Sequence, residues 1–304
     1  MITRISLYDL KILIKGVIIM IKLKKFLGIA LALALSIGIV GCGKSTSGSD
    51  NTAEKQTKSI VIGVCPGPYG DMVKEAIQPV LEKKGYKVSI KEFSDYIQPN
   101  NALANKEIDA NLFQHTAYLQ KFAKDNNLAI SPVISVPTAG MGIFSNKIKS
   151  LDKLSNGAQV AIPNDASNLA RALILLQKEG LIKIKDNIDQ TKASQNDIIE
   201  NKKDLKFVPM EAAQLQRSLD SVDIATITGN YAISAGLKFS SALKVEKLAE
   251  NYKNVVAVRT EDLNKQLGKD LKAAVESKEF RDAIEKSNGE FKSFDKPQWY
   301  IDKK

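Results

Sequence analysis

The sequence predicts an α/β protein built of two units with a cleft between them, and three observations carry that expectation. Short apolar runs alternate with segments whose apolar residues keep one helical stripe, the signature of mainly parallel sheets with helices on their faces. A stretch of breakers around Pro137 and Gly140 interrupts the alternation, and a second alternating unit follows it. The 304 residues, 44% hydrophobic and 26% charged, are enough for two medium domains with real cores.

The elements follow in order. Ser59 to Val64 is an apolar run ended by Pro66-Gly67-Pro68, a buried strand running into a loop. Asp71 to Lys84 places Met72, Val73, Ala76, Ile77, Val80 and Leu81 on one stripe, and Gly85 stops the helix. Tyr86 to Phe93 alternates as a strand, Asn100 to Lys106 reads as a short helix and Ile108 to Phe113 as a strand. His115 to Asp125 is expected to be helical, with strands at Ile130–Val136 and Gly142–Ser145. The second unit has strands at Gln159–Ile162, Lys206–Val208 and Asp223–Thr228, and helices at Ser167–Glu179 and Glu211–Leu219. A strand at Val255–Val258 and a largely helical stretch, Asp262 to Asp282, close the chain; there is no internal repeat.

Ahead of this lies a leader. Residues 22–42 give a basic start, an apolar run from Phe26 to Val40, and small residues before Cys42. That is the layout of a secretory signal peptide, with an apolar core short for a stable ~20-residue span. Residues 1–19 have no evident purpose in it, so Met20 is the expected start. Residues 43–58 are polar and rich in Ser, Thr and Gly, a flexible tether.

The formal charge of +10 is inflated by this leader; without residues 1–41 there remain 38 Lys plus Arg against 33 Asp plus Glu. No basic stripe interleaved with aromatics is present, which argues against nucleic acid. With Cys42 modified, Cys65 has no disulfide partner within the chain. One histidine without Cys partners or an HxxxH spacing does not make a metal site, and no cofactor loop is present. No GxSxG occurs and His115 has no nucleophile partner in sequence, so catalysis is not expected.

Ligands of open α/β sheets bind at the carboxyl ends of strands. The loops after Val64, Phe93, Phe113, Ile162 and Thr228 are such ends, and four of the five supply the candidate residues. Arg171 lies near the first turn of the helix after Ile162, where the helix dipole disfavours a cation. A guanidinium there suits an anion such as a carboxylate; the competing reading is a solvated arginine or one paired with Asp165. His115, between Phe113 and Tyr118, belongs to an aromatic cluster able to enclose an apolar or thioether side chain, or is a structural histidine at a packed helix start. Tyr96, Tyr69 and Asn230 also follow strands.

Three segments carry a resemblance: 94–119 (SDYIQPNNALANKEIDANLFQHTAYL), 147–154 (KIKSLDKL) and 160–183 (VAIPNDASNLARALILLQKEGLIK). They closely resemble the methionine-binding lipoproteins of ABC importers, the NlpA-type lipoproteins, and the likeness runs from about Ile60 to Trp299. Ile39-Val40-Gly41-Cys42 resembles the lipobox of bacterial lipoproteins. What the resemblance implies is a two-lobed periplasmic-binding-protein fold (type II), lobe 1 spanning 59–137 and 238–304 and lobe 2 spanning 138–237. The lobes would close at crossings near Pro137 and Gly236 over a methionine. It further implies that Arg171 of the NLxR turn holds the ligand carboxylate, that Asn168 of the same turn is a ligand-binding residue, that Tyr96, Phe113, His115 and Tyr118 surround the side chain, and that Asn254 helps bind the amine. Thr228 stands where family members commonly have Asn, and Asn230 faces the same cleft in this expectation. The implied partners are a permease and ATPase complex and the membrane, through diacylated Cys42 on the extracytoplasmic face; a monomer is expected. A dipeptide containing methionine or glycine, or another small amino acid, fits the same site, and an adhesin role is the reading from a different class.

Overall fold

The computed structural model describes residues 58–286 and 290–303. The leader, Cys42 and the tether up to residue 57 lie outside the described residues. Within them no helix is long and apolar enough to cross a membrane.

Strand β1 (Lys58–Val64) leads through Gly67 into helix α1 (Pro68–Met72), a π-helical turn at Val73–Ile77 and α2 (Gln78–Lys83). Pro68 suits the first helical turn, where no backbone N–H is needed. β2 (Tyr86–Glu92), α3 (Gln98–Ala104), β3 (Ala110–His115), α4 (Thr116–Asp125) and β4 (Ile130–Ser135) follow. The chain then crosses to a second sheet with β5 (Gly142–Phe144), β6 (Gln159–Pro163) and α5 (Ala166–Lys178). A small antiparallel pair, β7 (Lys183–Ile184) and β8 (Ile198–Glu200), precedes β9 (Lys206–Met210). A 3-10 segment (Ala212–Asp220), β10 (Ile224–Ile227), α6 (Gly229–Ser234) and β11 (Lys244–Val245) complete this unit. The return strand β12 (Asn254–Arg259) leads to α7 (Gln266–Val275), α8 (Lys278–Ile284) and α9 (Gln298–Asp302).

The two five-stranded sheets have the orders β2-β1-β3-β12-β4 and β11-β5-β10-β6-β9. In each, four strands point one way and one runs against its neighbours: β12 in the first, β5 in the second. The opposed strand is in each case the one that arrives from the other lobe. Apolar clusters cover both faces of both sheets. Those of lobe 1 centre on Ile62, Met72, Leu81, Val256 and Phe280 on one side and on Phe93, Leu103, Ile108 and Ala257 on the other. Lobe 2 has Val160, Leu173 and Ile224 on one side and Leu215, Ala225 and Tyr231 on the other.

The crossings run side by side. Met141 and Glu246 are joined by a backbone hydrogen bond of 2.9 Å, and the Asn254 N–H donates to Thr138 Oγ1 at 2.8 Å. The second crossing therefore lies at 246–253, later than the expected boundary at 238, because β11 still pairs with β5 in lobe 2. Gly236, expected at the hinge, instead sits just past the end of α6 with φ +74°, inside lobe 2. Three other local expectations are corrected. The helix expected over 262–282 is broken by Ser277, whose hydroxyl caps α8 through the Phe280 N–H. The helix expected over 211–219 is 3-10. β3 runs to His115, which caps α4 instead of lying within it.

Candidate functional site

The carboxyl ends of β1, β3, β6 and β10 converge on a cavity between the lobes. Its atom-free space comes to about 310 Å³, solvent mouth included. Only about 20 Å³ of it admits the centre of a water molecule, far below the ~300–1,000 Å³ usual for small-molecule sites, so the lobes stand nearly closed on each other here.

The lobe 1 wall is aromatic. Tyr96 lies in the loop after β2, Phe113 and His115 on the end of β3, and Tyr118 in the first turn of α4. Ring centroids of Tyr96 lie 5.8 Å from Phe113 and 5.7 Å from Tyr118, and Phe113 and Tyr118 stand 6.2 Å apart edge to face. His115 Nδ1 accepts the Tyr118 N–H at 3.0 Å. This N-cap bond requires the other ring nitrogen to carry the proton in the neutral tautomer. Nε2 accordingly donates across the cleft to Asn168 Oδ1 at 3.1 Å. Burial, reinforced by the nearby Arg171 charge, drops the His115 pKa to about 3, so the ring is neutral at any physiological pH.

The lobe 2 wall is polar. Asp165 caps α5 by accepting the Asn168 N–H at 2.9 Å, and both its oxygens take the Asn168 Nδ2 at 3.1 Å. Burial pushes the Asp165 pKa up, partly offset by these bonds and by Arg171. Asn168 is thereby fixed with Oδ1 toward His115, and Arg171 Nη1 lies 3.4 Å from the same oxygen.

Arg171 is buried, and its partner is Glu246, not Asp165. Nε lies 3.0 and 2.8 Å from the two Glu246 oxygens. Nη2 approaches Oε2 to 2.7 Å off the hydrogen-bond axis and has no well-directed acceptor. The Tyr252 ring lies 5.4 Å from the guanidinium carbon. Burial works against the cation, but the Glu246 carboxylate outweighs it and holds the pKa above the ordinary arginine value.

Further contacts tie one wall to the other. The Tyr96 hydroxyl donates to Asn230 Oδ1 at 2.6 Å and so accepts from the Thr228 hydroxyl, 2.9 Å away. Asn230 Nδ2 donates to Pro66 O at 3.0 Å, and Tyr231 OH donates to Ser94 O at 3.2 Å. Gly67 lies so close to α6 that a Cβ there would fall 2.6 Å from the Asn230 carbonyl oxygen; with φ +124° the position admits only glycine.

Of the nine expected residues, Tyr96, Phe113, His115, Tyr118, Asn168, Asn230 and Asn254 line the cavity. Arg171 stands behind Asn168, and Thr228 is reached through Tyr96. Asn254 Nδ2 donates to Phe113 O at 2.9 Å, so its amide N–H also holds β3. Tyr69, which the sequence marked only as following a strand, also lines the cavity, its hydroxyl accepting the Ala139 N–H at 3.3 Å; sequence reasoning passed over Gln114, which sits among Asn100 and Asn111 in a buried amide network. It also missed Glu246, 75 positions from Arg171 in an irregular crossing without a local signal. Among the described residues no cluster of His, Cys, Asp or Glu is arranged to hold a metal ion.

A family model described as NlpA lipoprotein matches residues 60–299. The D-methionine-binding lipoprotein MetQ of Escherichia coli K12 is 38% identical over 271 residues, which cover 87% of this chain and 95% of that protein. Outer membrane lipoprotein 2 of Mannheimia haemolytica is 36% identical over 268 residues, covering 88% of this chain and 97% of that protein. Among solved structures, a nutrient binding protein from Burkholderia cenocepacia bound to methionine is similar with TM-score 0.72 and 39% identity. The match covers 77% of this chain and 97% of that one.

Proposed function

The chain belongs to the NlpA lipoprotein family, and from that premise we propose that it captures free methionine outside the cytoplasmic membrane and hands it to an ABC importer. The activity is binding, not catalysis. The observation that carries the reading is the cavity itself: an aromatic wall from lobe 1 faces an arginine-backed polar wall from lobe 2 across one narrow space. In this reading the rings enclose the thioether chain, Arg171 and Asn168 receive the carboxylate, and Asn230 and Asn254 meet the amine.

The energetics require both walls. Micromolar affinity needs about −8 kcal/mol. A charge-assisted bond supplies ~1.5–3 kcal/mol and burial of the side chain ~1.5–3 kcal/mol. Neither suffices alone, so the lobes must close around the ligand, pivoting at the paired crossings 136–141 and 246–253. Lipid on Cys42 would keep the protein at the extracytoplasmic membrane face, since two acyl chains anchor where one does not. A monomer delivering ligand to a permease and ATPase complex completes the proposal.

Mass spectrometry of ligand released from denatured protein, followed by calorimetry with L- and D-methionine, tests the reading. Released methionine and a saturable heat with either enantiomer are expected. A different co-purified solute, with no heat from methionine, would refute it.

A further inference from the structure

Arg171, which stands behind the cavity-lining Asn168, is not a bare cation. Glu246 occupies its Nε edge with both oxygens, and Glu246 Oε2 also takes the Met141 N–H at 3.1 Å. The carboxylate is thus pinned from both crossings, with its side chain only 7% exposed. The other edge of the guanidinium is less used: Nη1 has one long contact to Asn168 Oδ1, and Nη2, though 2.7 Å from Glu246 Oε2, has no well-directed acceptor. A fork with one edge held by a protein carboxylate and the other under-satisfied can receive a second carboxylate, but the positive charge is already matched.

We propose that Glu246 restricts the cavity to zwitterions, so that a ligand must carry an ammonium together with its carboxylate. The inference rests on reading the cavity as an amino-acid site. Arg171 and Glu246 sum to zero. A bare carboxylate would add an uncompensated buried negative charge, whereas an α-amino acid brings its own counter-charge. The one buried lysine nearby, Lys253, lies 3.8 Å from Asp295, and Asp165 behind Asn168 adds a further acid without an ion pair among the described residues. Glu246 acts through Arg171 and touches no ligand; it sets which net charge the site accepts.

Calorimetry comparing L-methionine with 4-(methylthio)butanoic acid, which has the same thioether chain and carboxylate but no ammonium, tests this on the wild type and on Glu246→Gln. The wild type is expected to prefer methionine by ~100-fold or more, and the isosteric glutamine to cut that ratio at least ~10-fold by freeing the guanidinium for a lone carboxylate. Glu246→Asp keeps the charge and is expected to keep the ratio while weakening both ligands. Methionine binding with a ratio unchanged in Glu246→Gln overturns the inference alone. Absence of any methionine heat in the wild type overturns the amino-acid reading and the inference with it. Should the glutamine variant fail to fold, wild-type affinity for the acid within tenfold of methionine overturns the proposal, and a fall of the ratio in Glu246→Asp does so as well.

Discussion

On the lobe 1 side the cavity is bounded by Tyr96, Phe113 and Tyr118, whose ring centroids stand 5.7 to 6.2 Å apart. On the lobe 2 side it is bounded by Asn168, with Asp165, Arg171 and Glu246 stacked behind it. The aromatic wall is held by packing and by one histidine that caps its own helix. The polar wall is held by charge, and each of its groups is oriented by another. The difference teaches that, under the proposed function, the fit to a side chain and the balance of charge fall to opposite walls, so that neither wall alone makes a complete site.

Removing the charge should give the largest effect. Arg171→Ala leaves Glu246 buried without its cation, an expected stability loss of ~3–5 kcal/mol, with methionine binding lost. Replacing both Arg171 and Glu246 by Met should restore most of the stability in urea melts but none of the binding in calorimetry. Recovery of binding in the double variant would show that the charged wall is structural only.

A smaller effect is expected from Tyr96→Phe, which deletes the hydroxyl shared by Thr228 and Asn230 while keeping the ring. Each lost hydrogen bond contributes ~0.5–1.5 kcal/mol, so losing both is expected to lower affinity by ~5–150-fold. An unchanged Kd would mean that the walls do not communicate through this hydroxyl.

The pH response isolates His115. Its folded pKa of about 3 lies below the ordinary value of 6.5. Between those values the unfolded chain binds a proton that the folded chain does not. Stability from this group is therefore complete above pH 6.5 and is lost as pH falls toward 3, by up to ~1.4 kcal/mol per unit. Asp165, with its raised pKa, works in the opposite sense and is present in both proteins being compared. His115→Gln should flatten the loss of melting temperature between pH 6.5 and 4 relative to wild type; parallel curves would contradict a neutral buried imidazole. Ligand affinity of the wild type should stay level from pH 6 to 8.

The smallest change is expected from Thr228→Asn. Its hydroxyl reaches the cavity only through Tyr96, so L-methionine should bind more tightly by less than ~10-fold. A larger gain would place position 228 in direct contact with the ligand backbone.

Most of the fold was legible because it rests on local pattern. Apolar runs such as Ser59–Val64 and the stripe of α5 predict their own burial, and Asp165 announces the helix it caps. The aromatic wall was legible for the same reason, since Phe113, His115 and Tyr118 are close in sequence. The boundary near 238 was misplaced because β11 is two residues long and pairs with a strand a hundred positions away. His115 was expected inside a helix because an N-cap and a first helical residue look alike without the hydrogen bond that separates them. Glu246 was not legible at all. An acid in an irregular segment looks like any surface acid until the fold brings Arg171 against it.

The strand order of the first sheet has a consequence for how the protein is made. β12 sits between β3 and β4, yet it comes from residues 254–259, after all of the second lobe. Until those residues have been synthesised, β2, β1 and β3 can pair but end in an open edge, and β4 has no strand to join. Such late, long-range closure is slow. A nascent chain therefore carries an unfinished first lobe until about the last sixth of its length has emerged.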